Sequence, residues 1–360
     1  MLRKLFRIFG FLIGCGVVCA YICYASHLAH QHRAEQVITE VIISMTDSTE
    51  MRQFASSSQI AEQLKRGGFN IEGVQVDSLD AVKVANYIDD NGFVSDADVY
   101  ITYSGTAHID IKQHEPVMRF MSGGFNSYIT REGETFHSPR GAAYYTAVVT
   151  GEYKPLFMPE EKGNIASCYA VLKEREDARL AKLATDYARL NDEYKECSKR
   201  KEEHNKDKKR KIFESKKSQK QRAVGLDIEI AKCDEQIRQL KGRMARVEEQ
   251  RQSVEVRKKK LQKKYEDFRN LINFVGRISD DSFWGAEVVQ FVADTTSAGE
   301  ITLHLVPRSG DFVIIFGTLA ESEKKMDKLQ EFYDNGLSHF GWNRYKSVDL
   351  RYDKQVICTE

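Results

Sequence analysis

Between residues 168 and 275, apolar side chains recur at alternating spacings of three and four, and no proline occurs from Pro159 to Pro307. The first run is Leu180, Leu183, Tyr187, Leu190, Tyr194 and Cys197. The second begins at Leu226, Ile230, Cys233, Ile237, Leu240, Met244 and Val247 and continues through Val254, Leu261, Tyr265, Phe268, Ile272 and Val275, with only Arg251 and Lys258 breaking it. This heptad-like period commits the segment to long helices packed along an apolar seam. Two seams separated by a charged stretch predict one helix folded back on another over residues 165–275. With the turn near residue 215, Leu190 meets Leu240, Tyr187 meets Met244, Leu183 meets Val247 and Cys197 meets Cys233. An antiparallel hairpin of this length returns the chain close to its starting point, so it can interrupt another domain. Helix rise gives it a reach of roughly 60 Å.

The turn of the hairpin is strongly basic. Residues 199–222 hold 12 Lys or Arg against 4 acidic residues, whereas the whole chain has a formal net charge of only +1. The remainder is therefore net acidic. Lys208, Lys209, Arg210, Lys211, Lys216 and Lys217 form the basic tip, suited to an acidic protein face, anionic lipid headgroups or an anionic polymer; a solvated helix end is the alternative.

Residues 8–26 carry no charge and are dominated by Phe, Leu, Ile, Val, Cys and Gly, following Arg3, Lys4 and Arg7. A run of this length matches the roughly 20 residues needed to cross a bilayer. The basic flank places residues 1–7 in the cytoplasm and the bulk of the chain outside it. The reading is a retained transmembrane helix over 8–28, since no small-x-small cleavage site follows. Leu12-Ile13-Gly14-Cys15 also fits a lipidation box, but the apolar run continues past Cys15 to Tyr24. In an oxidising compartment Cys197 and Cys233 can form a disulfide; otherwise they serve as small core residues. Cys15, Cys19 and Cys23 lie on one face of the apolar helix and read as small membrane-facing residues.

The flanks of the hairpin are mixed α and β. Val37–Met45 reads as a strand; a helix capped by Ser57 or Ser58 runs to Lys65; a second begins at Asp77-Ser78, with Leu79, Val82, Val84 and Ile88 as its apolar set. A strand pair follows, with Val99, Ile101 and Tyr103 alternating on one strand and Ile109 and Ile111 on the other. Tyr128-Ile129, Thr135-Phe136 and Ala147–Thr150 read as short strands of a second sheet. After Val275, Glu287–Ala293, Ile301–Val306 and Phe312–Phe316 are further strands. A helix then carries Met326, Leu329, Phe332, Tyr333 and Leu337 inward. A last strand over Ser347–Val356 has Val348, Leu350 and Tyr352 alternating with Asp349, Arg351 and Asp353.

The fold class is therefore α+β, with a single N-terminal transmembrane helix and a β domain interrupted by a long helical hairpin. The strand-helix-helix-strand-strand order of residues 34–112 resembles the POTRA domain of FtsQ/DivIB cell-division proteins. Ala97–Ile101 and Ile109–Gln113 are similar to its closing strand pair, and Glu115-Pro116-Val117-Met118-Arg119 resembles the motif leading into that family's β domain. Tyr128–Phe136, Val148–Gly151 and Val348-Asp349-Leu350-Arg351-Tyr352 resemble successive strands of the β domain. The resemblance implies a POTRA-like domain over 34–115 and a β domain over 116–164 and 276–360. It further implies a divisome scaffold in the inner membrane at the septum, binding FtsB/FtsL-type bitopic partners and helping to control septal peptidoglycan synthesis. The expected contact is β-augmentation along the last strand, through Val348, Leu350, Arg351 and Tyr352. The hairpin departs from the family pattern. A generic envelope tether and a POTRA-type assembly or secretion factor are the alternative functions.

No catalytic or metal-binding pattern occurs: there is no HExxH, P-loop or strand-associated GxGxxG. His108 and His114 read as structural or surface histidines, Asp89-Asp90 and Asp280-Asp281 as helix-end and turn residues, and Trp284 and Trp342 as packing residues. No enzyme activity, cofactor or nucleic-acid partner is expected.

Overall fold

In this computed structural model, residues 14–27, 36–46, 54–137, 144–159, 162–209, 215–337, 341 and 344–360 are described. Within the apolar run, residues 14–27 form a continuous exposed helix, α1. The rest of the expected span lies outside the described residues, and no helix among those described is long and apolar enough to cross a membrane.

The first domain follows the order β1 (Glu40–Thr46), α2 (Ser57–Arg66), α3 (Ala81–Asp89), β2 (Val94–Ile101), β3 (Thr106–Gln113). The central β3 pairs in parallel with β1 and antiparallel with β2. On β3 the period-2 alternation turns Ala107, Ile109 and Ile111 fully into the core, against Ile60 and Leu64 of α2 and Val84 and Ile88 of α3. Two helix starts differ from expectation. Ser56 caps α2, forming a reciprocal box with Gln59. Asp77-Ser78 belongs to a single 3₁₀ turn, and Asp80 caps α3 by accepting from Lys83 N at 3.1 Å. The phase set by Val84 and Ile88 then turns Val82 outward, where it is 68% exposed, so Val82 is not a core residue.

The second domain is a ten-stranded sheet in the order β13-β12-β11-β10-β9-β7-β4-β5-β6-β8. Strands β4 (Pro116–Phe120), β5 (Ser127–Thr130), β6 (Glu134–Phe136), β7 (Ala147–Thr150) and β8 (Gly163–Asn164) precede the hairpin. Strands β9 (Val288–Thr295), β10 (Ile301–Pro307), β11 (Val313–Thr318), β12 (Ser347–Asp349) and β13 (Ile357–Thr359) follow it. The halves join through the parallel β7–β9 pair, with Val148 opposite Gln290 and Val149 opposite Phe291. Gly151, at φ +112°, ends β7 where an added Cβ would lie 2.2 Å from Ala293 O, so only glycine permits this approach.

Helices α4 (Ile165–Asp207) and α5 (Lys216–Asp280) form the antiparallel hairpin. Asn164 caps α4 by accepting from Ala166 N at 2.7 Å. Leu190, Cys197 and Leu240 are buried together, with Tyr194, Ile237, Met244 and Val247 packed around them. Ion pairs Lys201–Asp234, Lys208–Asp227 and Lys258–Asp177 cross between the helices and hold their register. The seam-interrupting Lys258 thus finds a partner on α4, whereas Arg251 pairs with Glu248 on its own helix. At the root, Tyr169 and Tyr265 stack at 4.2 Å. The last turns of α5 bury Phe268, Leu271, Ile272, Phe274, Val275 and Ile278 in the sheet's core. Helix α6 (Trp284–Glu287) and helix α7 (Ser322–Phe332) complete that layer, with Trp284, Leu329, Tyr333 and Leu337 buried.

The two domains share an aromatic core. Phe54 lies 5.9 Å from Phe93 in the first domain, and 5.0, 5.2 and 4.8 Å from Tyr128, Phe136 and Tyr144 in the second. Gln113, buried at the end of β3, accepts from Phe54 N at 2.8 Å. His114 stacks on Phe136 at 5.3 Å, and burial pushes its imidazole below the ordinary histidine range.

Candidate partner interface

The carboxy-terminal segment is shorter in strand and more folded than its alternation predicts. β12 spans only Ser347–Asp349; a turn at Asp353-Lys354 reverses the chain, and β13 pairs antiparallel with β12. β12 is therefore covered on both sides, by β11 and β13. The sheet ends on β13, whose outer edge pairs with no strand among the described residues.

This arrangement divides the four expected contact residues. Val348 and Leu350 are fully buried, so they are core residues and cannot meet a partner. Their burial follows from the position of β12 over the α7 layer: Lys328 of α7 donates to Leu350 O at 3.0 Å and also to Tyr352 O. Arg351 folds back on Asp349, with Nε 3.0 Å from Oδ1 and Nη2 2.6 Å from Oδ2. The Arg351 hydrogen bonds hold the Asp349 carboxyl below the ordinary carboxylate range, against the opposing effect of its burial. The stem of Arg351 lies over Gly317, at φ +75°, where an added Cβ would meet Cγ at 2.7 Å. Tyr352, at the start of the turn, is 46% exposed.

Pairing register places Asp349 and Ile357 on one sheet face with Ile315, and Ser347 and Thr359 with Val313. Ile357 and Val313 are each 37% exposed. Ile357 on β13 and Tyr352 at the turn before it place apolar contact area beside an open strand edge, a combination that suits strand addition, whereas Val313 lies two strands inward on β11. Sequence alternation missed Ile357 because it ran one strand through Val356; the Asp353-Lys354 pair was the available turn signal. The edge is pinned by the Arg344–Glu360 ion pair at 2.7 Å and the Ser347–Thr359 hydroxyl contact at 2.6 Å.

Other singled-out residues are dispersed. At the hairpin tip Lys208 is taken up by Asp227, Lys209, Lys216 and Lys217 are exposed, and Arg210 and Lys211 lie outside the described residues. Cys197 and Cys233 are both buried free thiols; Cys197 Sγ lies 3.6 Å from Gln236 Oε1 and 3.2 Å from Arg200 Nη2. His108 stacks on Tyr100 at 5.1 Å. Asp280 pairs with Arg131 at 2.6 Å, and Asp281 accepts from the backbone of Phe283 and Trp284. Trp342 lies outside the described residues. No cluster of three or more metal-ligating side chains occurs among the described residues.

Two family models match the chain. Residues 36–112 match a POTRA-like domain, which coincides with the three-stranded domain and its two helices. Residues 237–359 match the domain described as FtsQ/DivIB, C-terminal related, which runs from the middle of α5 to the end of β13. No curated protein matches. The second match includes the part of α5 buried under the sheet, so this helix belongs to the domain's core as well as to the hairpin.

Proposed function

We propose that this chain, an FtsQ/DivIB-like protein, acts as a non-enzymatic, membrane-anchored scaffold of cell division that takes up one strand of a partner on its β13 edge. The observation that carries this reading is the open β13 edge at the end of the matched domain, with part-exposed Ile357 on it and Tyr352 at the turn before it. Main-chain hydrogen bonds along such an edge supply affinity, and the flanking apolar side chains supply selectivity. Tyr352 offers contact area at low entropic cost. By resemblance, the partners are FtsB/FtsL-type bitopic proteins and the process is control of septal peptidoglycan synthesis. The apolar run over 8–28 serves as the anchor in the inner membrane, with the domains outside the cytoplasm at the septum.

In-cell photocrosslinking from positions 352 and 357 tests the reading. Capture of a small bitopic coiled-coil protein at both positions is the expected result. Capture of an unrelated envelope protein would instead favour a tether organised around the hairpin. Silence at both positions, with the protein at normal abundance, overturns the edge as an interface. The anchor is tested separately: mature protein recovered from membranes is expected to begin at residue 1 or 2, and a start at Cys15 would replace the spanning helix by lipidation.

A further inference from the structure

The outer end of the hairpin carries an apolar stripe that its own packing does not use. Ile237 of α5 packs against Leu190 and Cys197 of α4, Cys233 is buried, and heptad spacing carries this seam on through the half-buried Ile230 and Leu226. Val224 and Ile228 each lie two residues, or roughly 200° around the helix, from a seam position. They therefore share the back of the coiled coil, 57% and 55% exposed. A coiled coil needs polar residues there, and most back positions of this hairpin have them. The same face carries Lys217 seven residues before Val224 and Lys220 four before it, with Ala231 after Ile228; the next residue on the line, Glu235, is paired with Arg238.

The surrounding charge is unevenly satisfied. Asp227 and Asp234 are taken up by Lys208 and Lys201 across the hairpin, and Glu229 by Lys232 within α5. Lys206 on α4, Lys209 just past its end, and Lys216, Lys217 and Lys220 on α5 are exposed and have no ion-pair partner among the described residues. These cations are spread over both arms of the hairpin close to its turn. Among the described residues, this stripe holds two aliphatic side chains and no aromatic or arginine between Lys217 and Ala231. A folded protein partner is met through shaped pockets and packed aromatic or arginine anchors. A flat, diffuse anion with an apolar layer just beneath it needs neither.

From these features we infer that the hairpin end is a binding surface for anionic phospholipid bilayers, with lysines on the headgroups and Val224 and Ile228 at the acyl boundary. Helix rise sets this end roughly 60 Å from the sheet, so it can lie on a bilayer without involving the β13 edge. The inference is independent of the division reading.

The test uses the full chain in phosphatidylcholine nanodiscs, with an environment-sensitive fluorescent amino acid at position 228. Added vesicles contain phosphatidylcholine alone or with about one-third phosphatidylglycerol. Blue-shifted emission and co-flotation are expected only with phosphatidylglycerol. K216E/K217E/K220E is expected to weaken co-flotation by at least about a hundredfold, following the roughly fivefold effect of each of the three surface lysines. V224S/I228S is expected to weaken it by about tenfold. All these side chains are exposed, so helical circular dichroism stays unchanged and any loss reports binding. Long-chain polyphosphate separates the ligand sources. If it competes but vesicles give no blue shift, the surface binds polyanions and the bilayer inference is overturned. Equal binding to neutral and anionic vesicles, or no loss in either variant, overturns it as well.

Discussion

Helix α5 is one continuous element in two physical settings. Near its carboxy-terminal end Phe268, Leu271, Ile272 and Val275 are fully buried beneath the sheet, and Phe274 and Ile278 nearly so. From Lys216 to Val254 only Cys233, Leu240 and Val254 are buried, in a seam one helix wide. The period of the apolar residues is similar in both parts, but the amount of surface they remove from water is not. Stability therefore should be concentrated at the root, where the hairpin is continuous with the domain core, while the outer part opens locally at lower cost.

Phe268→Ala tests the root. It is expected to cost about 3–5 kcal/mol in urea unfolding, because the ring is fully buried between Phe120 and Tyr153. A loss below about 1 kcal/mol would break the distinction between root and outer hairpin. Leu240→Ala tests the outer seam and should cost about 2 kcal/mol, the low end for a buried leucine. Its hydrogen-exchange signature is the sharper readout: faster exchange around Leu190 and Leu240, with β9–β11 unchanged. Spread of the effect into the sheet would show that the hairpin unfolds as one unit with the domain.

The carboxy-terminal edge extends the comparison to a region held by polar contacts. Gly317→Ala introduces a side chain at φ +75° against Arg351 and is expected to cost about 1–2 kcal/mol, loosening the β12–β13 turn. Reduced crosslinking from position 352 would accompany it. Asp349→Asn should have the smallest effect and the clearest pH signature. Arg351 lowers the folded-state pKa of Asp349, so the carboxylate contributes stability above its unfolded pKa near about 4, lost as pH falls through the folded value. The wild-type advantage over Asp349→Asn is therefore constant near neutrality and disappears in strong acid. An advantage that persists unchanged to the lowest accessible pH would show that Asp349 acts by packing alone.

The parts most legible in the sequence were those with a long, regular period. The hairpin was readable from Leu180 to Val275, and the first domain from the alternation that ends in Ile109 and Ile111. Short polar signals were read less accurately. Ser56 and Asp80 displaced the expected helix starts, and Val82, two residues from Val84 on the same helix, could not share its buried face. The candidate edge was only half legible: Tyr352 is accessible, but Val348 and Leu350 are core, and Ile357 emerged only from pairing register. Alternation identifies two faces of a strand without saying which one another layer covers.

By itself, the sequence determined the local periods: where helices could be long, where strands alternated, and where charge gathered. These depend on neighbours three or four residues apart, or two apart in strands. Only the tertiary structure decided that β7 pairs with β9 across the hairpin, that Phe54 unites two domains, and that β13 rather than β12 forms the open edge. Each of those outcomes depends on contacts between distant residues, whose register is set by packing and backbone hydrogen bonding over the whole fold.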